Sequence, residues 1–202
     1  MTNNPMPDNH MDFLGWQGRL NDTKPPIEDI IEIYHEGDMK KSALSFALYL
    51  RENKMKPVCS GVVNTWKSMY KGKKICDVHL QARKSRCHWC DKNFWEESEP
   101  IGSWRITPNL IHMDKCAEQI ITEGLQTLIW DNAYYCIKCF PTRNCAIQGG
   151  MTKVILGKEI KGHCVGRPTI PTFTDPDKDT IGKIKRLLEL EQRAREEESK
   201  KK

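Results

Sequence analysis

Long apolar runs are missing from this 202-residue chain, and so is every familiar catalytic signature. No stretch approaches the ~18 consecutive apolar residues that a membrane-spanning helix needs. The opening MTNNPMPDNH has neither the basic flank nor the apolar stretch of a secretory signal. These absences predict a cytoplasmic protein with no membrane partner. The patterns G-x-S-x-G, H-E-x-x-H, G-x-x-x-x-G-K-[ST] and G-x-G-x-x-G do not occur. With no legible set of base, nucleophile and open metal position, an enzyme ranks third among the readings. Apolar residues are scarce too, at 38%, and mean hydropathy is −0.64. Such a chain builds a modest core and gains from covalent or metal reinforcement. No internal repeat of ~20–50 residues is visible.

Cysteine is what the chain has in plenty, with nine. In a reducing compartment that number points to metal rather than disulfides, and the odd count argues against a fully paired framework. Cys136, Cys139, Cys145 and Cys164 are spaced C-x2-C-x5-C-x18-C. A C-x2-C pair places two thiolates on one tight turn, and two later thiolates close a tetrahedral Zn²⁺ site. All four positions are then filled, so the ion builds structure and admits no substrate. Lys138 and Arg143 lie between these cysteines, which suits a knuckle better than a buried apolar cluster. A second set, Cys87, Cys90, His112 and Cys116, reads C-x2-C-x21-H-x3-C and makes a possible second site. Alternatively, Cys87 and Cys90 pair with Cys136 and Cys139 in one ribbon, or His163 replaces a cysteine. One Zn²⁺ is expected and two are possible. An iron–sulfur cluster can use the same thiolates and ranks behind zinc. A redox role for Cys87-His88-Trp89-Cys90 ranks lower still, because no buried strand precedes it. Cys59 and Cys76 read as core residues.

Charge falls in blocks. Residues 51–92 carry +8, with eleven basic and three acidic side chains, and residues 136–174 carry +5. Residues 1–50 carry −4 and residues 93–135 carry −5. The basic blocks suggest phosphate contact, with Lys71, Lys73, Lys74, Arg83, Lys84 and Arg86 as candidates. The plainer reading is a solvated face. Trp66 and Trp104 can stack bases, but strand core is the better expectation for both.

Periodicity predicts an α+β fold. Residues 27–35 and 43–53 form two N-terminal helices, with Gly37-Asp38 as a break and Ser42 as a cap. Residues 62–70 and 74–80 form a hairpin of a small, mainly antiparallel sheet, joined by a strand at 103–107. In the return strand, Cys76, Val78 and Leu80 share one face; Ile75, Asp77 and His79 share the other. Thr122 caps a helix running to Trp130. A cysteine knuckle with a hairpin follows, turning at Gly157-Lys158, and a C-terminal helix spans 181–197 with a stripe at Ile181, Ile184, Leu187, Leu188 and Glu191. The expected organisation is a loose polar arm (1–24), an α+β domain with the metal site or sites (25–167), then a linker, helix and charged tail (168–202).

Three stretches, ALSFALYLRENKMKP (43–57), TWKSMYKGKKICDVHL (65–80) and TKVILGKEIKGHC (152–164), resemble a group of small, uncharacterised bacterial proteins. The likeness runs over roughly residues 43–190 and takes in the helix ending LIWDN. It implies the order of elements and the late cysteine spacing, and it carries no activity. Residues 83–99, with CHWC, depart from the pattern and read as an insertion. The function expected is a zinc-stabilised, non-enzymatic binding module with an unknown protein or small-molecule partner. The alternative is a nucleic-acid-binding regulator using 51–92 and 136–174.

Overall fold

The computed structural model describes residues 26–60, 65–80, 103–133, 150–163 and 171–200. Within them the fold is α+β, with N-terminal helices, a small antiparallel sheet and a C-terminal helix. Helix α1 (Ile27–Tyr34) starts after Pro26 and buries Ile27, Ile30 and Ile31. Helix α2 (Gly37–Glu52) follows almost at once. Gly37 opens it, at φ +58°, a conformation that glycine adopts without strain. Ser42 is therefore inside α2 and caps nothing.

Five strands form one antiparallel sheet in the order β1 (Lys56–Cys59), β2 (Thr65–Tyr70), β3 (Lys73–Leu80), β4 (Trp104–Pro108), then β7 (Phe173–Thr174). The predicted alternation in β3 fails at one residue. Register shifts so that Ser68 pairs with Cys76 but Met69 pairs with Lys74. Ile75 is left over as a bulge, which turns it inward beside Cys76, and both are 0% exposed. Strand β1 was hidden by Pro57, which an edge strand tolerates. Strand β7 lies in the stretch that reads as linker, where Phe173 pairs with Ile106 and is buried.

After β4 the chain makes a 3-10 turn (Met113–Cys116) and two short helices, α3 (Ala117–Thr122) and α4 (Gln126–Asp131). Thr122 ends a helix instead of starting one. Gly124, at φ +68°, stops α3, and Gly124 and Leu125 donate their N–H groups to the orphan carbonyls of Ile121 and Ile120. A separate hairpin pairs β5 (Met151–Ile155) with β6 (Lys158–His163). Helix α5 (Lys178–Lys200) closes the fold and buries the predicted stripe, Glu191 included. Trp66 and Trp104 are each 1% exposed, so both are core rather than a stacking platform. Phe46 of α2 meets Trp104 edge-on, with ring centroids 6.0 Å apart. No helix among the described residues is long and apolar enough to cross a membrane.

Candidate functional site

Asp177 sets the direction of α5, because its Oδ1 accepts the Thr180 N–H at 2.7 Å. The first turns of α5 then run beside the N-terminal half of α2. A cleft of about 900 Å³ lies between them, within the size range of small-ligand sites. Met39, Trp104, Pro176 and Ile181 supply its apolar surface. Three lysines (Lys41, Lys178, Lys185) face three aspartates (Asp38, Asp175, Asp177), so its formal charge is balanced. Most of these charges already have partners. Lys41 Nζ is 3.0 Å from Asp38 Oδ1, Asp175 Oδ1 accepts the Trp104 backbone N–H at 2.7 Å, and Lys185 lies over the Tyr49 ring at 5.0 Å.

Gly182 forms part of the cleft wall. A Cβ placed there meets nothing within 4 Å, so packing does not require glycine. In a helix interior glycine gives up about 0.5–1 kcal/mol relative to alanine. Here it leaves the wall flat and the backbone open to close approach. The Trp104 indole Nε1 in the same region is buried and has no hydrogen-bond partner among the described residues.

His35 lies near the Ser103 backbone and Asp175, and both His35 and Ser103 are buried. Burial holds the His35 pKa below the ordinary histidine value; the Ser103 backbone and the Asp175 charge oppose this. Ser103, His35 and Asp175 are the residue types of a nucleophilic triad. Among the described residues, however, neither the Ser103 hydroxyl nor either ring nitrogen of His35 has a hydrogen-bond partner, so the three are not joined as a triad there.

A second polar cluster joins the 3-10 turn to α5. His112 is buried, with Nδ1 2.9 Å from Glu191 Oε1 and Nε2 2.5 Å from Glu198 Oε2. Its backbone N–H donates to Glu191 Oε2 at 3.0 Å. Arg195 Nε donates to Glu191 Oε1 at 2.7 Å and Nη2 to the Asn109 carbonyl at 3.1 Å.

These contacts show where the predicted site residues stand. His112 has both ring nitrogens engaged by carboxylates, and Cys116 Sγ faces the Leu190 carbonyl at 3.5 Å. Burial raises the Cys116 thiol pKa and pushes the Cys76 thiol up to about 12, so neither is a ready thiolate. Cys87, Cys90, Cys136, Cys139, Cys145 and Cys164 lie outside the described residues, as do Arg83, Lys84 and Arg86. Among the described residues no group of three or more His, Cys, Asp or Glu is arranged to hold a metal ion. On the β2–β3 turn, Lys71 Nζ is 3.5 Å from Glu196 and Lys74 Nζ is 2.7 Å from Asp77. Two of the three turn lysines thus face a carboxylate, which weakens the patch as a phosphate grip.

Sequence reasoning passed over Gly182, took His35 for an ordinary surface or core histidine, and passed over Arg195. A glycine inside an otherwise regular helical stripe was the available signal for the first. The i,i+4 pair Glu191 and Arg195, on the buried stripe, was the signal for the third. Nothing in the residues around His35 marks it. No protein-family model matches the chain, and no curated protein or solved structure shows significant similarity to it.

Proposed function

We propose that this chain is a non-enzymatic binding module whose ligand enters the cleft between α2 and α5. Gly182 is the observation that carries the reading: a helix interior forgoes a stabilising side chain at a position with room for one, beside an open cleft. The lining favours a small amphipathic ligand. Its apolar part meets Met39, Pro176 and Ile181, and its donors and acceptors meet the balanced lysines and aspartates. One Zn²⁺ on Cys136, Cys139, Cys145 and Cys164 braces the module, a part of the proposal that rests on thiolate spacing. An iron–sulfur cluster ranks behind it. A second ion on Cys87, Cys90, His112 and Cys116 requires His112 to release one of its two carboxylates. The reduced thiols suit the cytoplasm. Against the nucleic-acid alternative stand the carboxylates facing Lys71 and Lys74.

The test follows the indole N–H signal of Trp104 in ¹⁵N-labelled protein, assigned with Trp104→Phe. A panel of free amino acids and aromatic carboxylates is titrated in. At least one probe is expected to move the signal saturably, and Gly182→Leu, which fills the cleft, is expected to abolish that response. A signal that no probe moves, or that still moves in Gly182→Leu, removes the cleft from the proposal.

A further inference from the structure

A smaller pocket, of about 210 Å³, opens further along α5, lined by Tyr70, Lys71, Lys73, Arg195, Glu198 and Ser199. Arg195 is thirteen residues beyond Gly182 on the same helix, about 20 Å along its axis. The pocket is therefore separate from the cleft beside Trp104 and does not depend on that reading.

Arg195 is only 6% exposed. Glu191 and the Asn109 carbonyl fix two edges of its guanidinium, while Nη1 has no hydrogen-bond partner among the described residues. A buried charged donor without an acceptor is costly, and an incoming acceptor relieves it. The surrounding carboxylates are already engaged elsewhere. Glu198 Oε2 faces His112 Nε2 at 2.5 Å and Lys115 Nζ at 3.5 Å. Glu196 accepts the Tyr70 hydroxyl and lies 3.5 Å from Lys71 Nζ. Glu191 accepts from His112 and Arg195. Among the described residues Lys73 has no ion-pair partner. Positive donors are thus left over on one small pocket.

We propose that this pocket binds a small oxyanion, either free phosphate or the phosphoryl group of a small phosphomonoester. Arg195 presents a guanidinium already oriented by Glu191, which suits a tetrahedral oxyanion. Lys73 supplies the second charge; Lys71 stays with Glu196, 3.5 Å away. The volume admits one such group with water and is too small for a whole nucleotide.

The experiment is calorimetric titration of the full chain with inorganic phosphate and, separately, phenyl phosphate, at constant ionic strength with KCl as control. One site per chain is expected for at least one of the two anions. Binding of inorganic phosphate alone assigns the free ion; binding of the ester assigns a phosphomonoester. Lys73→Ala, which leaves the core untouched, is expected to weaken binding about tenfold, the worth of one charge-assisted hydrogen bond. Arg195→Lys is expected to weaken it at least as much, but that change also disturbs Glu191, so Lys73→Ala decides. Absence of binding by both anions overturns the proposal, and so does affinity unchanged in Lys73→Ala. Binding of a single-stranded oligonucleotide without either small anion overturns it too, in favour of the wider basic surface.

Discussion

His112 and Glu191 lie 79 positions apart in the chain and meet through two hydrogen bonds, ring Nδ1 to Oε1 at 2.9 Å and backbone N–H to Oε2 at 3.0 Å. Glu191 is 2% exposed and also accepts from Arg195, so one buried carboxylate holds the 3-10 turn and α5 together. Glu191→Ala takes an acceptor from a backbone N–H, an imidazole and a guanidinium at once. Removing one partner of a buried charged pair costs about 3–5 kcal/mol. Denaturant unfolding is expected to show a loss of that size. Glu123→Ala is the control: its pair with Arg186 is also at 2.7 Å but half-buried on the surface, and such pairs are worth about 0.2–1 kcal/mol. Equal losses in the two variants would remove the clamp.

Gly182→Ala is expected to stabilise the protein by about 0.5–1 kcal/mol, because the new methyl meets no atom within 4 Å and the helix gains propensity. Thermal unfolding of the ligand-free protein measures it. A destabilised variant would mean that something packs against this position, and the cleft would then not be open.

His35 gives the stability a pH dependence of known sign. Burial holds its folded pKa below the ordinary value, which is about 6.5 in the unfolded chain. Above that value both states carry a neutral ring and His35 contributes no slope. As pH falls below it, the unfolded chain takes a proton that the native ring resists, so stability drops until the folded pKa is reached. Replacing His35 by Phe removes this titration. Stability measured at pH 7.5 and pH 5 is expected to differ less in His35→Phe than in the wild type. An unchanged difference would show that another group drives the acid loss.

Helices α1, α2 and α5 and the central strands were legible because burial imposes a period on them, whereas α3 and α4, six residues each, were too short for a period to place. Ile181, Ile184, Leu187, Leu188 and Glu191 mark α5 whatever surrounds it, and all five are buried. Features set by tertiary context escaped. Ile75 turns inward only because Met69 pairs with Lys74. Phe173 becomes a strand residue only because Ile106 offers an edge. Arg195 lies on an acidic and basic helix end that looks solvated until Asn109 and Glu191 are placed around it. Of the cleft, sequence supplied Trp104 as a core residue, but not the approach of α2 to Asp175 and Gly182.

Zinc is tested directly by metal content. The spacing of Cys136 and Cys139 puts both thiolates on one turn, with Cys145 and Cys164 to complete the shell. Purified protein is expected to carry about one equivalent, and Cys139→Ser is expected to lose it and melt earlier, since site energy is partly folding energy. Elemental analysis reads the first and calorimetry the second. Cys87→Ser is expected to leave the ratio near one, because His112 is already held by Glu191 and Glu198. Full metal retention in Cys139→Ser would remove the late cysteines as ligands.

Salt dependence separates the binding module from a nucleic-acid reader. Each phosphate neutralised on duplex DNA adds about −0.9 to the slope of log K against log salt, and on a single strand about −0.7. If the turn lysines Lys71, Lys73 and Lys74 each held a phosphate, they alone would contribute roughly −2 to −3. Lys74 already lies 2.7 Å from Asp77, and Lys71 lies 3.5 Å from Glu196. Breaking those contacts opposes the gain from counterion release. The acidic blocks 1–50 and 93–135, at −4 and −5, further repel a polyanion. Weak binding or none is therefore expected in a low-salt mobility shift with either DNA or RNA. Should binding appear, replacing the three lysines by Ala must flatten its salt slope if this turn is the grip. Tight binding with a slope of −3 or steeper that flattens in the triple variant would establish the nucleic-acid reading over the one proposed.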